Sequence, residues 1–136
     1  MTARPASLEK IYKSYLDCLN RQDWPNLGQF VAANARHNGR SLGLSGYRDM
    51  LERDFLAIPD LRFRADLVVA TPPILGCRLV FDCTPVGELF GLPVNGRSVR
   101  FDEHVFYRFD NDRIVEVWSI IDQAAIARQL SGPQPA

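Results

Sequence analysis

Nowhere in these 136 residues do about 18 apolar residues run together, so the chain has no segment that would cross a membrane as a helix. Residues 1–7 carry no apolar stretch that would serve as a signal peptide. Both absences lead to the expectation of a cytoplasmic protein. Charge of one sign is also missing: 16 basic residues balance 16 acidic ones, which leaves no global field to attract nucleic acid or an anionic membrane. Cysteine is scarce. Cys18, Cys77 and Cys83 are odd in number and lack zinc-type spacing. On one strand, Cys77 and Cys83 would stand roughly 20 Å apart, too far for a disulfide. All three are expected to be packing thiols. No GxGxxG, P-loop or HExxH pattern occurs, which removes the nucleotide-binding and metalloprotease readings. No metal site is expected.

What remains is an ordinary globular composition, 46% hydrophobic and 24% charged, at a length suited to one domain with a real core. The domain is expected to span 1–136, with its core over about 8–130. Leu8, Ile11, Tyr12, Tyr15, Leu16 and Leu19 fall at helical spacing behind a cap at Ser7. Asp23 as a cap and Pro25 in the first turn open a short second helix, with Trp24, Leu27, Phe30 and Val31 on its apolar side. The polar, glycine-rich residues 34–46 read as a loop. Tyr47, Met50, Leu51, Phe55 and Ile58 return to helical spacing, and Pro59 ends that helix.

From Leu61 the period changes from helical to alternating, with strands expected over 61–70, 75–84, 98–109 and 113–121. Pro72 and Pro73 mark the first turn, and 110–112 make the tightest one. The link 85–97 reads as a loop or a hairpin tip with short strand extensions. Residues 123–130 form a last amphipathic helix, stopped by Gly132, Pro133 and Pro135. Helices first and an antiparallel meander afterwards predict an α+β fold: helices packed on a strongly curved antiparallel sheet that encloses a small-molecule pocket.

Several residues carry chemistry on this map. A histidine beside a carboxamide, His37 with Asn38, can act as general base and orient a polar substrate; the same residues with Gly39 also make an ordinary turn. Glu103 and His104 are neighbours on one strand and must point to opposite faces. Glu103 shares its face with Phe101, Val105, Tyr107 and Phe109. In such surroundings a carboxylate loses hydration and its pKa rises, as a proton-transferring group requires, unless it forms a salt bridge at the rim. His104 shares its face with Asp102, Phe106 and Arg108, which suits a surface or subunit contact. Asp122 precedes the last helix, where capping its free N–H groups is sufficient explanation. Trp118 fits core or interface better than a ligand platform. Arg78 and Asp82 lie four apart on one strand face and are expected to make ion pairs.

AIPDLRF at 57–63, GLPVNGRSVRF at 91–101 and RIVEVWSIID at 113–122, in this order of elements, resemble the SnoaL-like polyketide cyclase and ester cyclase group of the nuclear-transport-factor-two-like superfamily. The likeness spans roughly 8–130. It implies a cone-like α+β barrel and a cofactor-free intramolecular aldol condensation on a polyketide ester, run by an Asp on the last strand with a helper His on its neighbour. Carried over by position, these fall on Ser119 and Val105, neither of which retains that chemistry. A polar pocket position of the group falls on Glu103, an Asn near His37 and Asn38, and a recurrent Asp on Asp122. The departure predicts that an acid/base pair has moved to His37 and Glu103, with Asn38, Tyr107 and Ser119 lining the pocket. Two other outcomes fit the same residues: a non-catalytic binder of a small apolar or carbonyl-containing ligand, and an epoxide-hydrolase-type site that would need Arg78, Asp82 and Glu103 on one face. Phe106, Trp118 and Ile120 on the outer sheet face are expected to form a homodimer contact.

Overall fold

The computed structural model describes residues 5–131. The chain opens with helix α1 (Pro5–Asn20) and a short 3₁₀ segment (Trp24–Gln29). Strands β1 (Val31–His37) and β2 (Arg40–Ser41) follow, then helix α2 (Gly43–Ala57). The meander consists of β3 (Ala65–Thr71), β4 (Ile74–Cys83), β7 (Val99–Asp110) and β8 (Arg113–Ile121). A small β5–β6 hairpin (Glu88–Leu89, Leu92–Pro93) projects between β4 and β7, and α3 (Gln123–Ser131) closes the described chain. The large sheet runs β2-β1-β8-β7-β4-β3 and is antiparallel except where β1 joins β8 in parallel. Irregular register within β1–β8, β3–β4 and β7–β8 bends it, and the helices pack in the resulting hollow. The α+β class expected from the order of elements is the one observed.

The alternation on β7 settles which side is in. Val99, Phe101, Val105, Tyr107 and Phe109 are buried, with Glu103 in the same row, whereas Arg100, His104, Phe106, Arg108 and Asp110 are exposed. The buried set meets Tyr12, Tyr15 and Leu19 from α1 and Tyr47, Leu51 and Phe55 from α2 in one continuous core. Burial of this kind is worth about 1.5–3 kcal/mol per large apolar side chain. Asp122 caps α3 as expected, its Oδ1 accepting from the Ala125 N–H at 3.0 Å. Arg78 pairs with Asp66 at 2.6 Å and Asp82 faces Arg100 at 3.9 Å, both on the outer side.

Several local expectations are corrected. Ser7 lies inside the first turn of α1 and not at its cap. Asp23 makes no capping bond to the 3₁₀ segment; its carboxylate accepts from Asn26 Nδ2 at 2.9 Å. Residues 34–46 are not a loop: they hold the end of β1, the β1–β2 turn, β2 and the first turn of α2. β3 begins at Ala65 and not at Leu61, because Phe63 is bound through both backbone groups by the Asn20 carboxamide (2.7 and 2.9 Å) instead of by a strand. Gly132, Pro133 and Pro135 lie outside the described residues.

Candidate active site

The hollow between sheet and helices contains a cavity of about 290 Å³. α1 contributes Tyr15, α2 contributes Tyr47, Met50 and Asp54, and the sheet contributes His37, Glu103, Tyr107 and Ser119. Phe90, at the tip of the β5–β6 hairpin, reaches its rim, as does Gln123 at the start of α3. The 3₁₀ segment takes no part. Neither lysine nor arginine lines the cavity among the described residues, so its ionisable side chains are two carboxyls, one histidine and a set of phenols.

Glu103 is mostly buried, and Ser119 Oγ donates a hydrogen bond to its Oε2. The sheet register explains this contact. Val105 stands opposite Ser119 and Glu103 opposite Ile121, so Glu103 and Ser119 are diagonal neighbours on the inner face. Loss of hydration pushes the Glu103 carboxyl above its ordinary value, and the bond from Ser119 partly offsets that rise. His37 ends β1 rather than sitting in a loop. Its ring lies edge-on to Tyr47 with centroids 6.4 Å apart, and burial, then the neighbouring Arg40 charge, lowers its pKa. It is therefore a neutral imidazole near pH 7.

Asn38 occupies the β1–β2 turn at φ 48°, with Gly39 at φ 80°. Its carboxamide grips the backbone of Ser119: Oδ1 accepts from the Ser119 N–H at 2.8 Å and Nδ2 donates to the Ser119 carbonyl at 3.2 Å. The Asn38 N–H also bonds the Val117 carbonyl at 2.8 Å. Asn38 thus fastens β1 to β8 and fixes the residue that holds Glu103. Tyr107 is buried at the cavity floor, its hydroxyl 3.0 Å from that of Tyr12, while the hydroxyls of Tyr15 and Tyr47 lie 2.7 Å apart. Burial is the main force that keeps all four phenols protonated, and hence donors, throughout the physiological range.

Asp54 is the group that the sequence reading missed. It projects from α2 to the cavity mouth, where desolvation and then the negative Glu103 raise its carboxyl to about 6. Tyr47, Met50, Leu51 and Asp54 fall at i, i+3, i+4 and i+7, so Asp54 is a charge on the apolar stripe of its helix. That position is the signal which betrays it. His104 and Trp118 stand on the outer face, away from the cavity, and Asp122 is taken up by its cap. Arg78 and Asp82 are also outward, so the trio an epoxide-hydrolase-type site would need is not assembled. Among the described residues no group of three or more His, Cys, Asp and Glu is placed to hold a metal ion.

The family model of SnoaL-like polyketide cyclases matches residues 9–130. A SnoaL-like polyketide cyclase from Agrobacterium tumefaciens is 56% identical, with 91% of this chain and 98% of that one covered at a TM-score of 0.90. TsrD from Streptomyces laurentii shares the fold at 22% identity (95% and 98% covered, TM-score 0.82). IdmH from Streptomyces antibioticus does so at 21% (92% and 99% covered, TM-score 0.79). No curated protein matches the chain in sequence.

Proposed function

The chain belongs to the SnoaL-like polyketide cyclase family, and from that premise we propose that it is a cofactor-independent enzyme that removes a proton beside a carbonyl of a small, uncharged ligand, closing a ring or moving a double bond. The observation that carries this reading is the Glu103 carboxyl, desolvated and bonded to Ser119, in one cavity with His37 and a set of phenolic donors. Ser119 stands where the family resemblance would put an acid/base Asp. The longer Glu103 side chain, rooted on the adjoining strand, brings a carboxyl back to that spot. Glu103 takes the Cα proton on a carboxylate oxygen, and the electron pair of the C–H bond passes into the enolate. The His37 ring N–H and a tyrosine hydroxyl hydrogen-bond the developing oxyanion. In the ring-closing case the enolate carbon attacks a second carbonyl of the same molecule, and the protonated Glu103 returns its proton to the new alkoxide. No atom is lost. A cavity with carboxyls and without basic side chains disfavours anionic ligands, which is why the ligand is read as uncharged.

Deuterium exchange at the Cα positions of 2-indanone, a small cyclic ketone, tests the step without knowledge of the natural substrate. Glu103→Gln should reduce catalysed exchange about 10²–10⁴-fold and His37→Ala by a similar factor. Wild-type exchange rates in either variant would reject the pairing. A second reading, a non-catalytic binder on the same fold, is favoured by Ser119 and Val105 at the positions where the family resemblance expects Asp and His. It predicts retention of an aromatic ketone with no exchange at all.

The outer sheet face belongs to the same proposal. Val69, Gly76, Phe106 and Trp118 stand in one row across β3, β4, β7 and β8, and Leu67, Arg78, His104 and Ile120 form the next. Phe106, Trp118 and Ile120 remain 57%, 43% and 74% exposed, a contiguous apolar surface suited to a second copy of the chain. Elution as a monomer at micromolar concentration would remove it. Placement in the cytoplasm is supported by three free thiols, at Cys18, Cys77 and Cys83.

A further inference from the structure

Among the described residues, four two-residue turns hold both residues at positive φ. They are Asn38-Gly39 (48° and 80°), Phe90-Gly91 (53° and 77°), Asn95-Gly96 (50° and 83°) and Asn111-Asp112 (52° and 62°). Where they close a hairpin, as at 38–39, 90–91 and 111–112, such turns match the twist of the strands they join, and asparagine suits the first position of all of them because its short polar side chain tolerates the left-handed region. The chain follows that rule three times and breaks it once. At Phe90 a bulky aromatic side chain, for which positive φ is a genuine outlier, occupies the strained place. Local turn chemistry gives no reason for it.

The surroundings supply one. The β5–β6 hairpin is held firmly at its base: Val86 N–H bonds the Ala57 carbonyl (2.9 Å), Asn95 N–H the Gly87 carbonyl (2.7 Å), and Gly96 N–H the Pro85 carbonyl (2.8 Å). Leu89 and Val94 are buried, and Arg97 binds the carbonyls of Gln129 and Leu130 at the end of α3. The tip itself does not anchor the arm. Phe90 is still 43% exposed, yet it lines the cavity that contains Glu103 and Asp54, with its ring edge-on to Phe101 at 6.3 Å and 89°. A residue that strains its backbone without being buried is held there for what its side chain presents.

We propose that Phe90 is a specificity residue, whose ring forms the wall at the cavity mouth against which a flat, uncharged ring of the ligand lies. The proposal rests on the reading of this cavity as the ligand site. It adds a substrate class: planar, unsaturated cyclic molecules ahead of acyclic ones of equal volume.

Binding of 2-naphthol, a flat neutral probe, followed by its fluorescence and by NMR shifts of cavity residues, provides the test. Wild type should bind it with shifts at Glu103 and Tyr107. Phe90→Asn restores the residue used by the other turns, so the fold should persist while binding weakens about tenfold. Phe90→Tyr keeps the ring and should bind within about twofold of wild type. Unchanged affinity in F90N, loss of affinity in F90Y, or failure of wild type to bind the probe would each overturn the proposal. Should F90N not fold, intermolecular NOEs between 2-naphthol and the Phe90 ring in wild type decide the matter, and their absence rejects the contact. If 2-indanone exchange fails while 2-naphthol binding stays dependent on the ring, the proton-transfer reading falls and the Phe90 assignment stands.

Discussion

Glu103 and His104 are adjacent on β7, yet they live in different solvents. One strand face looks into the hollow under α1 and α2, where Glu103 loses water and its carboxyl is harder to ionise. The other looks outward, where His104 is exposed beside Phe106 and Arg108. A rotation of one residue along a strand thus separates a chemical group from a surface group. Residue type alone would have favoured the histidine, and the side of the sheet reverses that choice.

The contrast between the two faces should be largest in stability. Leu79, 2% exposed on the inner face, is expected to cost about 2–5 kcal/mol when truncated to alanine, while Ile120→Ala, at 74% exposed on the outer face, should fall within about 0.5 kcal/mol. Urea denaturation of the monomer, at a concentration too low for two outer faces to meet, checks this, and similar costs would break the comparison. Next in size is association. Phe106→Glu places a charge in the outer apolar row and should weaken a dimer by about 100-fold or more, seen by analytical ultracentrifugation, with the monomer fold intact.

A smaller effect comes from the cavity mouth. Asp54 keeps its proton longer in the fold than in the unfolded chain, so the stability it contributes is complete below its ordinary 3.8 and is lost as pH rises through about 6. Since its side chain stands partly open to solvent, the loss should be only about 1 kcal/mol. Asp54→Asn is expected to flatten that part of the stability-versus-pH curve, and an unaltered curve would show that Asp54 does not feel the cavity. The least effect belongs to His104→Ala, with 2-indanone exchange within about twofold of wild type. A larger loss would bring the outer face into the chemistry.

Much of this arrangement was legible in the chain. The alternation from Phe101 to Phe109 identified the inner face of β7, and Asp122 before an alanine-rich helix identified its cap. β1 was not legible, for a physical reason. Its sequence, VAANARH, offers one β-branched residue among alanines and polar groups, and its strand state comes from outside, through parallel pairing with β8 and the grip of Asn38 on Ser119. Tertiary hydrogen bonds made a strand where local propensity gave a loop, and they moved His37 from a flexible setting to the end of a sheet strand. The sequence also hid Asp54, since it sits among Glu52 and Arg53 on a charged helix, and only its place on the Tyr47–Met50–Leu51 stripe separates it from them. Phe90 was invisible for another reason: its backbone conformation cannot be read from a glycine-containing link until the turn is seen.

The claim on which the account turns is that the inner face of β7 holds a carboxyl out of water and beside a second one. Carbon-detected NMR titration of the Glu103 and Asp54 carboxyls, in wild type and in the Ser119→Ala and Glu103→Gln variants, measures this directly. The account predicts a midpoint above the ordinary glutamate value of 4.5 in wild type, and a rise in that midpoint when Ser119→Ala removes the hydroxyl that offsets it. At Asp54 it predicts a midpoint near 6 that falls when Glu103→Gln removes the neighbouring charge. A Glu103 midpoint at or below 4.5, unmoved by Ser119→Ala, would contradict it.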